Sequence, residues 1–201
     1  MGWPKRSTKV KTVKGEPPWY EDDGHKQNLI TMGYLPDIKE TVLEVVTREV
    51  WQARPPVEEK FLKRRAANVF YTLTYTPLCK RLLHCCRDMR KMQNKAIDED
   101  KDVDIAANFL IGYDGRVYEG RGWGVAPRLP KPYTKKATTS ILISFIAPSD
   151  SECDLPMYDA KFDLVEWGEH FKYINPNYMI FEPRNDYVNE GNEFFKEYYG
   201  L

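Results

Sequence analysis

Site chemistry draws on nucleophiles, titratable pairs or soft metal donors, and this chain uses the soft donors sparingly: four cysteines and three histidines in 201 residues. Cys79, Cys85, Cys86 and Cys153 make no C-x-x-C pair and no zinc-ribbon spacing, so composition leaves them either reduced thiols or half-cystines. His84 stands directly before Cys85 and Cys86, a run that suggests a metal cluster. Consecutive residues on a helix point in different directions, however, and the run reads better as a helix carrying one surface histidine. His25 and His170 lie far from it in sequence. Five Lys or Arg residues fall between Lys5 and Lys14 with no acid among them, which is either a localisation or lipid-facing patch or a solvated tail.

The bulk numbers set outer bounds. Thirty basic and thirty acidic residues cancel, so no global field draws the chain onto nucleic acid or an anionic membrane. An aromatic content of 13% excludes a wholly disordered chain, and the length suits one domain with a tail. No run approaches the roughly 18 apolar residues of a transmembrane helix. The N-terminus has a basic start but no apolar stretch or small-residue cleavage site, so a cytoplasmic location is the first expectation. A secreted form, or the ectodomain of a membrane isoform whose targeting segment is not in this sequence, is the alternative.

The elements that must position a site follow from pattern. Residues 1 to about 28 lack periodicity and read as a flexible tail, with order expected to begin between Tyr34 and Trp51. Asn68–Tyr75 is β-branched and aromatic, hence a strand, which Thr76-Pro77 stops. Leu82, Cys86, Met89 and Met92 recur at helical spacing. In NFLIGYDGRVYEG, two apolar runs flank Asp114-Gly115, predicting a hairpin with a type I′ turn. Ser140–Ile146 is almost wholly apolar, as a strand buried on both faces should be. Met157, Ala160, Leu164, Trp167 and Phe171 phase a second helix, which Asn175-Pro176 is expected to end, and Tyr178–Phe181 reads as a last short strand. Strands alternating with helices predict an α/β fold, a mixed central sheet flanked by helices, with no internal repeat.

Several segments, in order, resemble the peptidoglycan recognition protein family. Trp51–Pro56 (WQARPP) is similar to its W-x-A-R-P-P motif. Asp104–Trp123 (DIAANFLIGYDGRVYEGRGW) is similar to D-I-G-Y-N-F-L-V-G-x-D-G-x-V-Y-E-G-R-G-W. SILISFI resembles S-I-G-I-S-F-I, and INPNYMIFEPRND resembles I-S-P-N-Y-x-I-F-G-H-R-D. The likeness spans Val46 to Gly191 and implies the N-acetylmuramoyl-L-alanine amidase-like fold over residues 34–201, with 1–33 as the tail. It also implies a Cys79–Cys85 disulfide, leaving Cys86 as a buried thiol and Cys153 without a role.

Amidases of that family hold zinc with two His and one Cys, leaving a fourth position for a water whose pKa the ion lowers towards about 7. Carried over residue by residue, those ligand positions fall at Thr72, Pro183 and Gly191, and the family's catalytic tyrosine falls at Ala107. The resemblance therefore implies no metal, no cofactor and no hydrolysis.

What it leaves is recognition, an innate-immune role inferred from the family. Candidate groove residues are Thr74, Asn108, Arg121, Trp123, Arg128, Tyr133 and Arg184, with Tyr133 in place of a family groove tyrosine. Arg128, Lys131, Lys135 and Lys136 are either anion-facing cations or solvated loop charges. In family members that bind diaminopimelate muropeptides, an arginine pairs with the extra carboxylate of the stem peptide. The expected partners are bacterial peptidoglycan fragments, other recognition proteins or immune adaptors. A receptor for peptidoglycan fragments and a pseudo-receptor working through protein contacts both fit. Ile30–Gly33 resembles the short core of homotypic signalling motifs that stack as cross-β in some immune receptors of this family; a linker packing on the domain is the other reading.

Overall fold

The computed structural model describes the side chains of residues 43–182 and, as backbone alone, the two-residue strand β1 (Ile30–Thr31). The 1–28 tail with His25, the 33/34 boundary, Met32 and Gly33, and the positions Pro183, Arg184 and Gly191 lie outside the described residues.

Seven strands form one mixed sheet in the order β1-β2-β5-β4-β6-β3-β7. The remaining strands are β2 (Glu44–Val46), β3 (Ala66–Leu73), β4 (Phe109–Ile111), β5 (Val117–Glu119), β6 (Ser140–Phe145) and β7 (Ile174–Phe181). β6 and β3 are parallel interior neighbours, in register Thr72↔Ser144 and Leu73↔Phe145. Every β6 side chain is buried, as its uninterrupted apolar run requires. Side chains leave a strand on alternate faces, and the core splits accordingly into two clusters. Phe70, Leu110, Tyr118 and Leu142 join the helix α1 (Leu82–Asn94) in one. Val69, Phe109, Val117, Ile141 and Ile143 join α2 (Leu155–His170) in the other.

The predicted phase of α1 holds: Leu82, Cys86, Met89 and Met92 are buried, with Cys85 and Gln93 beside them. A disulfide joins Cys79 to Cys85, and burial pushes the Cys86 thiol up to about 12. His84 is exposed on the same helix, facing away from both sulfurs as helical geometry demands. Asp154 caps α2, its carboxylate accepting from the Met157 N–H at 3.2 Å, with Pro156 in the first turn.

Three local expectations are corrected. The β4–β5 hairpin does not use a type I′ pair: Gly112 N–H donates to the Arg116 carbonyl and Gly115 N–H to the Gly112 carbonyl, and only Gly115 has a positive φ, 73°. This is a three-residue loop closed by a left-handed glycine. Asp114 instead uses its side chain, accepting from the Tyr118 hydroxyl at 2.7 Å and pairing with Arg116. Second, α2 ends at His170, before Asn175-Pro176, through Lys172 at φ 66°. Third, the last strand starts at Ile174 and contains Pro176. β7 is an edge strand whose register jumps between Ile174 and Met179, and an edge with a bulge is where a sheet tolerates proline.

Ile30–Thr31 pairs antiparallel with β2, so the first half of the candidate signalling motif forms an outer strand of the sheet.

On α2, burial first, and then the nearby Asp159 and Glu166 carboxylates, push Asp163 up to about 6 from 3.8. A folded-state pKa raised above the unfolded value means stability is fully present below the unfolded value and is lost as pH rises through about 6. Asp163→Asn is therefore expected to unfold at a higher temperature than the parent at pH 7.5, with the difference gone at pH 3.5, measured by thermal denaturation at both pH values.

Candidate functional site

The floor of the candidate groove is the α1-facing side of β3 and β6 near their C-terminal ends. Thr72 and Ser144 meet there across the parallel pair, sharing a buried hydrogen bond of 2.7 Å between their hydroxyls. The side chain of Thr74, two residues on, is fully buried and bonds the Thr76 hydroxyl at 2.7 Å, while its N–H donates to the Phe145 carbonyl. Tyr75 then turns the chain out of the strand at φ 55°.

One wall is aromatic. Phe70 and Phe181 stack with centroids 4.4 Å apart, and Tyr133 tilts onto both at 5.3 and 5.6 Å. Lys136 Nζ lies 5.3 Å from the Phe181 ring. Phe70 and Phe181 were not singled out from sequence, although Phe70 stands two residues before Thr72 in β3 and must share its face. Each such ring pair adds about 0.5–1.5 kcal/mol beyond area burial, so the wall is held in place independently of any ligand.

The other sequence candidates occupy different places. Asn108 is fully buried and acts as a clasp. Its amide donates to the carbonyls of Gly122 and Val125 at 2.8 and 2.7 Å, and its side-chain oxygen accepts from Leu142 N–H at 2.8 Å. The loop after β5 is thereby fastened to β6. Gly120 makes the closeness possible, because a Cβ there would meet the Ala107 carbonyl oxygen at 2.2 Å. Arg121 points inward: its guanidinium donates to the carbonyls of Ile105, Asp104 and Ala126 and reaches Asp102 at 3.5 Å. Arg128 holds the other oxygen of Asp102 at 2.9 Å. Two candidate groove cations are thus gathered on one carboxylate. Trp123 lies on the opposite side of the sheet, packed on Phe109 and Tyr173 at 4.5 and 5.0 Å and against α2 through Gly168. Among the described candidates, the structure brings Tyr133 into the aromatic wall beside Phe70, buries Thr74 at the strand end, and assigns Asn108, Arg121 and Trp123 to structural contacts.

The WQARPP segment is likewise spent on the fold. The Trp51 indole donates to the Glu119 carbonyl at 2.7 Å and Arg54 pairs with Asp98 at 2.6 Å, while the nearby Arg48 pairs with Asp104 at 2.8 Å.

Chemically the floor offers hydroxyls without a base. The Thr72 hydroxyl is committed to Ser144, and a threonine hydroxyl is a poor zinc donor; Pro183 and Gly191 bring no side-chain donor at all. This donor set does not fit zinc. Ala107, to which the resemblance carries the family's tyrosine, is buried and presents only a methyl group. Among the described residues no three His, Cys, Asp or Glu side chains gather as metal ligands, and no helix is long and apolar enough to cross a membrane.

No family model matches the chain. Its relatives are informative. A peptidoglycan recognition protein of Trichoplusia ni is 31% identical over 139 residues, covering 68% of this chain and 74% of the relative. Peptidoglycan-recognition protein LB of Drosophila melanogaster is 30% identical over 163 residues, covering 76% and 68%. Among solved structures, wild-type Drosophila PGRP-LB superposes with a TM-score of 0.67 at 29% identity, over 76% of this chain and 91% of that one. A PGRP-LB variant in complex with tracheal cytotoxin gives 0.65 at 29% identity, over 69% and 81%. The ectodomain complex of Drosophila PGRP-LCa and PGRP-LCx with tracheal cytotoxin gives 0.64 at 27%, over 69% and 82%.

Asn108→Ala would strand one backbone N–H and two carbonyls, and is expected to cost about 3 kcal/mol or more in urea denaturation. Arg128→Ala breaks a partly exposed pair and is expected to change stability by about 1 kcal/mol or less in the same measurement.

Proposed function

Because the chain belongs to the peptidoglycan recognition protein family, we propose that it is a non-catalytic recognition member, acting in innate immune sensing or in the regulation of antibacterial signalling. The observation that carries this reading is the Thr72–Ser144 hydroxyl pair, Thr72 being the residue to which the resemblance carries the amidases' first zinc ligand. With Pro183 and Gly191 at the other two positions and Ala107 in place of the proton donor, the residues that the resemblance assigns to the site offer no zinc to activate water for attack on the muramoyl–alanine amide.

Recognition does not need that chemistry. Tracheal cytotoxin occupies both the PGRP-LB variant and the PGRP-LCa–LCx ectodomain complex, and muropeptides are the ligand class to test on this chain. Tyr133 and Phe181, partly exposed over the buried Phe70, supply apolar contact, and Lys136 beside them supplies a cation for a stem-peptide carboxylate.

A second reading has its own observation. Arg121 and Arg128, the described arginines nearest in sequence to the groove loop, both engage Asp102, so the charge that would read a diaminopimelate carboxylate is drawn into the fold. That favours a pseudo-receptor acting through protein contacts, with another recognition protein or an immune adaptor as its partner. Location follows from neither reading; the cytoplasm is our proposal, with a secreted or membrane-tethered form as the alternative.

The full chain is expected to carry no stoichiometric zinc by elemental analysis and to leave the muramoyl–alanine amide intact. Calorimetric titration with diaminopimelate and lysine muropeptides is expected to show binding that Tyr133→Ala weakens about tenfold, a loss of about 1.4 kcal/mol. Zinc-dependent cleavage would overturn the proposal. Silence with both muropeptides would replace it by the pseudo-receptor reading.

A further inference from the structure

A cavity lies on the α2 side of the sheet. It has a volume of about 290 Å³ and is bounded by the α2-facing side chains of β3 and β6 (Tyr71, Leu73 and Phe145), by Tyr158 and Lys161 of α2, and by Glu182 at the end of β7. That size is at the lower end of small-molecule sites, about 300–1,000 Å³. Thr72 of the groove floor also borders the cavity, while its hydroxyl stays bonded to Ser144; the other lining residues are not groove candidates.

Lys161 is the unusual member. Its side chain is 9% exposed, in a region where lysine is rarely buried without a strong partner. Three rings surround the ammonium: Nζ lies 4.6 Å from the centroid of Tyr71, 4.7 Å from Phe162 and 5.3 Å from Tyr158. Rings stabilise a cation through their faces but satisfy none of its three N–H donors. Its carboxylate partner is Glu182, 3.4 Å away on a side chain that is half exposed. A buried cation is thus held by a long contact to an anion that remains half in water.

The rest of the lining fits the same ligand. Burial pushes the Tyr71 phenol up, and the Tyr71 side chain lines the cavity. The Tyr158 phenol, pushed up to about 12 chiefly by burial, donates to Asp150 at 3.2 Å. Leu73, Phe145 and the 63%-exposed Phe162 offer an apolar approach. Asp150 and Glu182 at the rim repel polyanions, so phosphates are disfavoured and a single carboxylate with an apolar body is selected.

We propose that this α2-side cavity binds an apolar monocarboxylate, whose head group replaces the Glu182 carboxylate on Lys161 while its body lies against Leu73, Phe145 and Phe162. Glu182 then acts as a built-in competitor: it occupies the cation when the cavity is empty and moves into solvent when a ligand enters. This inference stands apart from the muropeptide reading, since it uses neither the aromatic wall nor the Thr72–Ser144 pair.

Calorimetric titration of the full chain with octanoate tests it, with 1-octanol as the uncharged control and N-acetyl-leucine as a mimic of a peptide C-terminus. Octanoate is expected to bind and octanol not. Glu182→Gln, which removes the competitor, is expected to tighten octanoate binding about fivefold. Lys161→Met is expected to weaken it about tenfold or more. Preference between octanoate and N-acetyl-leucine identifies a lipid-like acid or a chain terminus as the source, with the same seat for the head group. Equal binding of octanol, or a Glu182→Gln variant that binds octanoate no tighter than the parent, overturns the proposal. The latter comparison stands even if Lys161→Met does not fold.

Discussion

The fold depends on two neighbouring interior strands that cannot face water on either side. β6 is buried along its whole length, and its parallel neighbour β3 is nearly so. A sheet with such strands must be covered twice, and α1 and α2 supply the two covers. From this single constraint come two clusters of core side chains and two chemically different surfaces. The α1 side carries small hydroxyl groups at the strand ends, Thr72, Thr74 and Ser144. The α2 side carries aromatic rings and one buried lysine. Burial of apolar area at about 25 cal/mol per Å² drives both packings, and the polar groups left inside must find partners within the fold.

That requirement explains how the groove candidates are used. Asn108 satisfies three backbone groups that the loop after β5 would otherwise bury unpaired. Arg121 satisfies three carbonyls where the chain turns under the same loop. Both sit inside the long motif that ties the chain to its family, and both secure the architecture that a ligand would require. A surface arginine and a loop-clasping arginine look alike in a string of letters. They differ in what their N–H groups touch, and for Arg121 those partners come from residues 102–105 and from Ala126.

Much of the architecture was legible beforehand. Helical spacing located α1 and α2, the apolar run located β6, and the motif resemblance supplied both the disulfide pairing and the overall fold, which the likeness to solved PGRP structures bears out. The local errors share a cause. Asp-Gly favours a type I′ turn in a two-residue loop, but here Asp114 is held by Tyr118 and Arg116, and the loop closes one residue wider. Pro176 reads as a stop in isolation, yet an edge strand with a bulge accommodates it, and edge position is a property of the sheet.

The sequence by itself determined the inventory of donors. Threonine, proline and glycine stand where the family resemblance puts the three ligands, and alanine where it puts the tyrosine, and a side chain that is absent cannot be restored by folding. It also determined the alternation that sends Phe70 and Thr72 to one face and Tyr71 and Leu73 to the other. Only the tertiary structure decided which polar groups are spent and which are poised. Thr72 found Ser144 across seventy-two positions of sequence, Tyr133 found Phe70 and Phe181, and Lys161 was enclosed by rings from α2 and β3 beside the half-exposed Glu182 carboxylate. Those partnerships arise from non-local packing, and hydrogen-bond satisfaction is a statement about neighbours in space that spacing along the chain does not encode.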